Sequence, residues 1–199
     1  MTTTEILRGR IEGKPGVVGA TCITRTGRYF DFIDPQPDMI DILDIAWGLA
    51  NSCRFGGQCL SFYSVAQHSV IVSHLVPPAD AFTGLMHDAA EAYIGDMVGP
   101  LKQLCPDFKA IEKRVEAAIA DKYGLPTPFP ATIKHADLRA LRTEQRDLTS
   151  GHADSWNGLD AYPPMEARIV ALSPENAASA FLARFDALLA TDTQTAGDA

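Results

Sequence analysis

Apolar residues recur at helical spacing along most of this chain. Val65, Ile71, Val72 and Leu75 form one stripe with His68 among them, so the pattern predicts a helix that turns a polar ring inward. Ser64-Val-Ala-Gln67 is a capping-box pattern that starts it, and Pro77-Pro78 closes it. Phe82, Met86, Ala89 and Tyr93 step by four, three and four, which predicts a continuous helix through His87, Asp88 and Glu91. Gly95-Asp96-Met-Val-Gly-Pro100 then reads as a turn. Upstream, Ile42, Ile45, Ala46 and Leu49 share a face of a helix running from about Asp38 toward Cys53, stopped by Gly56-Gly57. Downstream, Phe108, Ile111, Val115 and Ile119 predict a helix over Asp107–Tyr123 with Gly124 as its stop.

After the stiff Pro126, Pro128 and Pro130 connection, a helix over Thr132–Leu148 turns Ile133, Ala136, Asp137, Ala140, Leu141 and Leu148 inward. Lys134, Arg142 and Arg146 fall outside that stripe and read as solvated. Gly151 to Pro164 reads as a loop. Ser173-Pro174 opens a last helix carrying Phe181, Leu182, Phe185, Leu188 and Leu189. The β pattern is confined to Cys22–Phe32, where two short segments flank Thr26-Gly27, so a small hairpin is expected at about 20–34. Residues 1–20 read as loose and Thr191–Ala199 as a disordered tail. The expected fold is all-α, a single helical domain over residues 1–190 with an N-terminal β-hairpin.

Composition narrows the classes. With 199 residues and 46% hydrophobic content, one globular domain is expected. A net charge of −8 argues against a nucleic-acid polymer as partner, since such proteins carry a basic patch. Cys22, Cys53, Cys59 and Cys105 form no C-x-x-C pair, so reduced thiols are expected. Met1–Glu5 has no apolar h-region and no apolar run reaches membrane-spanning length, so a cytoplasmic protein away from the membrane is expected.

Three inward polar features need partners: His68, the His87-Asp88 pair and Asp137. A lone core histidine bonded to backbone is commoner than a ligand, and an unpaired buried carboxylate is costly. Together they point to a shared site, because helical bundles place metal ions between inward side chains of facing helices. A donor set of imidazole and carboxylate without thiolate suits manganese, iron, cobalt, nickel or zinc. Glu91, one turn beyond His87 and Asp88, can face the same site and move protons.

His68 … His87-Asp88 … Asp137 resembles the H…HD…D signature of the HD-domain metal-dependent phosphohydrolases, over about residues 20–150. Arg54-Phe55, Ser64-Val-Ala-Gln-His68-Ser, His87-Asp88-Ala-Ala-Glu91 and Gly95-Asp96 are similar to the bacterial 5′-deoxynucleotidase branch and the related phage dATP triphosphohydrolases. The resemblance implies an HD-domain helical bundle holding one divalent metal ion on His68, His87, Asp88 and Asp137. It implies Glu91 as the catalytic acidic residue, Arg54 as a phosphate contact and Asp96 as a further active-site residue. Phe55 stands where the deoxynucleotidases have a Trp packed near the sugar. The implied partner is a small nucleotide, and a homo-oligomer is the family expectation, with Trp47, Trp156 and the Phe181/Phe185 face as candidate interface groups.

Two activities share these residues: a nucleotidase releasing nucleoside and phosphate, and a triphosphohydrolase releasing tripolyphosphate. For a triphosphate tail the candidate cations are Lys102, Lys109, Lys113 and Arg114. A non-catalytic regulatory HD module and an alarmone hydrolase are the rival classes. His135, two residues before Asp137, is turned away from the site by about 160°. His74 and His152 read as solvated, Glu112 and Glu116 as surface groups, Tyr93 as core, and Trp156 as packing rather than substrate contact.

Overall fold

The computed structural model describes residues 20–197 apart from 152 and 157. The expectations for residues 1–19, His152 and residues 198–199 lie outside the described residues. Strands β1 (Thr21–Ile23) and β2 (Tyr29–Asp31) form the expected antiparallel hairpin, with Cys22 opposite Phe30. Gly27, at φ +83°, takes the left-handed turn position that a side chain would resist. Asp44 ties the hairpin down by accepting from the Thr26 amide and hydroxyl, each at 2.7 Å. Phe30 is fully buried and stacks on Tyr93 at 4.0 Å between centroids.

The rest of the described chain is mostly helical. Helices α1 (Ile42–Asn51) and α2 (Val65–Leu75) begin at side-chain caps, the first on Asp41 and the second on the predicted Ser64. The pattern predicts the first helix from Asp38, but Pro37–Met39 forms a separate 3-10 turn. Asp41 then takes extended backbone and accepts from the Leu43 amide at 2.9 Å, which resets the start. The predicted continuous helix through His87 is also divided. Helix α3 (Ala81–Met86) and helix α4 (Glu91–Ile94) flank a tightened turn. There the Ala89 amide bonds to the Met86 carbonyl at 3.0 Å and the Glu91 amide to the Asp88 carbonyl at 2.9 Å. Those are three-residue steps in place of four, which rotate Glu91 relative to an ideal helix.

Gly99–Lys102, read as part of a turn, is a short helix α5. Helices α6 (Pro106–Tyr123) and α7 (Ala131–Leu148) match the apolar pattern to within a residue. Helix α8 (Pro174–Gly197) starts as predicted at Ser173-Pro174 but runs past Leu189. No proline or glycine interrupts residues 190–196, so the backbone there is helical where a disordered tail was expected.

Helix α1 packs on α2, α4 and α8, and α2 packs on α3, α7 and α8. Phe181 and Phe185 lie 0% and 7% exposed in this core, so they are not interface groups. Gly48 sets the approach of α1 to α4: a Cβ there would sit 2.6 Å from the Ala92 carbonyl oxygen. Only glycine leaves room for that contact. Arg142 and Arg146, read as solvated, hold loops onto α7. Arg146 donates to the Met165 and Ala167 carbonyls and pairs with Asp147, which also pairs with Arg168. Arg142 bonds to Gln145 at 2.5 Å and lies 3.6 Å from Asp160. Among the described residues, no helix is long and apolar enough to cross a membrane.

Gly48→Ala should destabilise the fold by roughly 1–3 kcal/mol, the usual cost of overpacking a tight contact, measured as a lowered urea midpoint. Hydrogen bonds from Arg146 come first among the causes that hold Asp147 below the usual carboxylate range, with the Ile169 amide and Arg168 adding to them. A depressed pKa adds stability above the ordinary value that is lost as pH falls through the folded value. Urea midpoints at pH 7 and pH 3 should therefore differ less in Asp147→Asn than in the parent chain.

Candidate metal centre

Two imidazoles are held so that the same nitrogen of each points to one place. His68, on α2, is fully buried, and its Nδ1 lies 2.6 Å from Oε1 of Glu144 on α7. His87 follows the last residue of α3, and its Nδ1 donates to the Gly84 carbonyl at 2.9 Å. With Nδ1 occupied as a donor, the lone pair of each neutral ring is on Nε2. Both Nε2 atoms are buried with no hydrogen-bond partner among the described residues.

Carboxylates surround these two nitrogens. Asp88 Oδ2 lies 3.2 Å from His87 Nε2 and 3.5 Å from His68 Nε2. Asp137 Oδ1, from α7, lies 3.4 Å from His68 Nε2. Donors each ~2.1 Å from one ion, at roughly right or tetrahedral angles, stand about 3.0–3.4 Å apart. The separations fit a shared ion, and His68, His87 and Asp137 present ligand atoms within 4.8 Å of one another. This cluster could hold a metal ion, with Asp88 beside it.

Charge is balanced tightly around the cluster. Burial and Arg54 work against a proton on His68, but Glu144 and Asp137 outweigh them and push the imidazole up to about 10. Burial likewise opposes ionisation of Asp88 and Asp137. The histidines nonetheless hold both below the usual carboxylate range, helped by Arg54 at Asp88 and Lys134 at Asp137. A metal ion would take the place of that imidazolium proton, so its binding would release protons.

Glu144 is the group that the apolar pattern does not reveal. It is fully buried and accepts from His68 Nδ1, from the Tyr63 hydroxyl at 3.0 Å and from the Arg54 guanidinium at 3.0 Å. Arg54 and His68 overcome its burial and hold it near 2. Its spacing carried a signal: seven residues past Asp137 is two helical turns, on the same face as Leu141 and Leu148. Arg54, with a side chain 12% exposed, also faces Asp96 at 3.8 Å and Asp88 at 3.9 Å.

A cavity of about 590 Å³ opens beside the cluster, lined by Arg54, Phe55, Asp88, Glu91, Asp96 and Asp137 among others. That size is within the range of small-molecule pockets, ~300–1,000 Å³. Burial first, then Asp88 and Asp96, push Glu91 up to about 9, and among the described residues its Oε2 has no hydrogen-bond partner. Burial likewise raises Asp96. Phe55 is a non-glycine residue at φ +56°, a strained position of the kind that concentrates at functional sites.

Several side groups differ from their sequence reading. Lys134 is not simply solvated: it lines the cavity and pairs with Asp137 Oδ2 at 2.8 Å. Trp156, read as packing, also lines the cavity. Glu112 is only 14% exposed and grips Lys102 at 2.7 Å. Of the four candidate cations for a triphosphate tail, only Lys102 lines this cavity. Arg114 instead donates to the Phe32 carbonyl, and Lys113 faces a separate hollow with Pro128 and Phe129. His135 is exposed and packs on Tyr162, and His74 is exposed, both as expected.

Fold and site define a mostly helical protein with a candidate His–Asp metal centre beside a cleft of mixed polar and apolar lining. No protein-family model matches the chain. It is similar to the uncharacterised protein YfdR of Escherichia coli, with 45% identity over 166 residues, covering 83% of this chain and 93% of that protein. It is also similar to an uncharacterised protein of Rhodobacter capsulatus, 34% identical over 182 residues, covering 82% of this chain and 93% of that protein. The chain belongs to the family that these proteins represent.

Glu144→Ala leaves Arg54 buried without its closest carboxylate. It should lower stability by roughly 3–5 kcal/mol, the usual cost of breaking a buried pair from one side, measured by urea denaturation. An unchanged midpoint would contradict the role of Glu144 as the buried counter-charge.

Proposed function

We propose that this chain is a metal-dependent phosphohydrolase of the HD type that converts a deoxynucleoside 5′-monophosphate to deoxynucleoside and phosphate. The observation that carries the reading is the pair of buried, unpartnered Nε2 atoms converging with two carboxylates beside a cavity that also holds a buried arginine. His68, His87, Asp88 and Asp137 would hold one divalent ion. Cobalt, manganese, zinc, iron and nickel all suit that donor set. Such an ion supplies positive charge to a phosphate oxygen and makes water nucleophilic at neutral pH.

The remaining work falls to side chains. The Arg54 fork can bind two non-bridging phosphate oxygens, and Glu144 holds it in place from behind. Glu91 borders the cavity, and its burial beside carboxylates favours the protonated form, which can donate to the leaving 5′-oxygen. Phe55 offers no partner to a ribose 2′-hydroxyl. A buried hydroxyl left unpaired costs ~1–3 kcal/mol, which favours the deoxy sugar by roughly 5- to 150-fold.

The cations favour a monophosphate over a triphosphate. Among the described residues, three line the cavity: Arg54, Lys102 and Lys134. Arg54 is engaged by Glu144 and Lys102 by Glu112, and Lys134 pairs with Asp137. A triphosphate tail would need further positive charge, and Lys109, Lys113 and Arg114 do not line the cavity.

The test is product analysis of the purified protein loaded separately with manganese, cobalt and zinc. Deoxynucleoside mono- and triphosphates and their ribose counterparts are offered, and metal content is measured alongside. The expected products are deoxynucleoside and orthophosphate from monophosphates. Asp88→Ala should lower turnover by at least about 100-fold, beyond the ~10–100-fold typical of losing an outer partner of a ligand. Tripolyphosphate as the main product would establish the triphosphohydrolase instead. Bound metal with no hydrolysis of any nucleotide would sink the proposal and leave the regulatory module.

A further inference from the structure

Two aromatic rings at this cavity belong to neither hydrophobic cluster of the core. Phe55 and Trp156 both line the cavity, their centroids 6.0 Å apart and their planes tilted by 58°. Neither packs against the core as Trp47 does. Both are half-buried, so a large apolar surface is left facing the cleft. Trp156 is also held there by dedicated contacts. Gln145, fully buried on α7 and adjacent to Glu144, donates both amide hydrogens to this loop, at 3.0 Å to the Gly151 carbonyl and 2.9 Å to the Asp154 carbonyl. Arg142 orients the Gln145 amide, and Ser155 bonds to Asp160 across the loop. Phe55 is fixed from the other side by its left-handed backbone.

From this geometry, and resting on the reading of the cavity as a nucleotide site, we infer that Trp156 and Phe55 form an aromatic corner that seats the base. The rings are too close and too tilted for a base to slide between them. A base instead stacks on the Trp156 indole with its edge toward Phe55, the edge-to-face arrangement that aromatic groups favour. Stacking accepts any base, because each has a π face, so the corner gives affinity for nucleotides with little choice among them. The ionic groups of the cavity include Arg54, whose guanidinium lies 5.6 Å from the Phe55 centroid, so the phosphate contact borders the corner. Trp156 is thus a specificity-determining residue that separates nucleotides from smaller phosphoesters.

Trp156 emission tests this without depending on metal or turnover. In a Trp47→Phe background, which removes the other indole, deoxyadenosine and thymidine should each quench the remaining fluorescence saturably. 2-Deoxyribose and inorganic phosphate should not. Trp156→Ala should raise KM for deoxynucleoside monophosphates about tenfold and close most of the gap in KM between them and base-less 2-deoxyribose 5-phosphate. Trp156→Phe should restore most of that gap. Unchanged emission with both nucleosides would overturn the inference. So would an equal rise in both KM values in Trp156→Ala, the signature of a general structural defect. Quenching by nucleosides in a protein that hydrolyses no nucleotide would uphold the corner while removing the phosphohydrolase reading.

Discussion

The arrangement of this protein depends on one buried carboxylate. Glu144 sits at full burial with three donors around it, from three different segments: His68 of α2, Tyr63 just before it and Arg54 of the turn after α1. An ionised carboxylate inside a protein is tolerated only when its oxygens are paired. The pairing does two jobs here. It fixes the His68 ring so that Nε2 meets the carboxylates of Asp88 and Asp137. It also anchors Arg54 at the edge of the cavity. The same side chain therefore orients a candidate metal ligand and a candidate phosphate contact.

The backbone supplies the second constraint. His87 and Asp88 sit where a helical segment tightens by one residue per hydrogen-bonded step, and Glu91 begins the next helical turn. Asp88 and Glu91 line the cavity, and His87 joins His68 and Asp137 beside it. The segment stays close to α1 because Gly48 has no side chain to hold Ala92 away. The aromatic side of the cavity is built in a similar way, from a left-handed Phe55 and a loop tied to α7 by Gln145.

Much of this was legible in the chain. The helices α2, α6 and α7 follow from apolar spacing, caps and the stop at Gly124. His68 and Asp137 stand out because each is a polar group on an apolar stripe, and burial forces such groups to find partners. The reading falls short where a partner lies far away in sequence. Glu144 occupies the Asp137 face, but a glutamate near the end of a helix is usually solvated, and it is Arg54, His68 and Tyr63 that offset its burial. Lys134 is exposed as read and its pair with Asp137 is local, whereas Glu112 was assigned to the surface because its partner Lys102 lies on a separate short helix. Arg142 and Arg146 bind loops that have no periodicity to place them.

The sequence by itself determined the helical class, the hairpin and the donor set, because periodicity, capping and the mismatch of polar residues on apolar faces are local properties. Only the tertiary structure decided which of these groups meet. Nδ1 of His68 is engaged by Glu144, 76 residues away, while Nδ1 of His87 is engaged by the Gly84 carbonyl of its own turn, and the two Nε2 atoms so directed meet only because the helices pack together. The cavity and its aromatic corner likewise arise from segments distant in sequence, such as Arg54 and Glu144, 90 residues apart, brought together by packing. No local pattern encodes such a meeting, because it depends on how whole helices lie against one another.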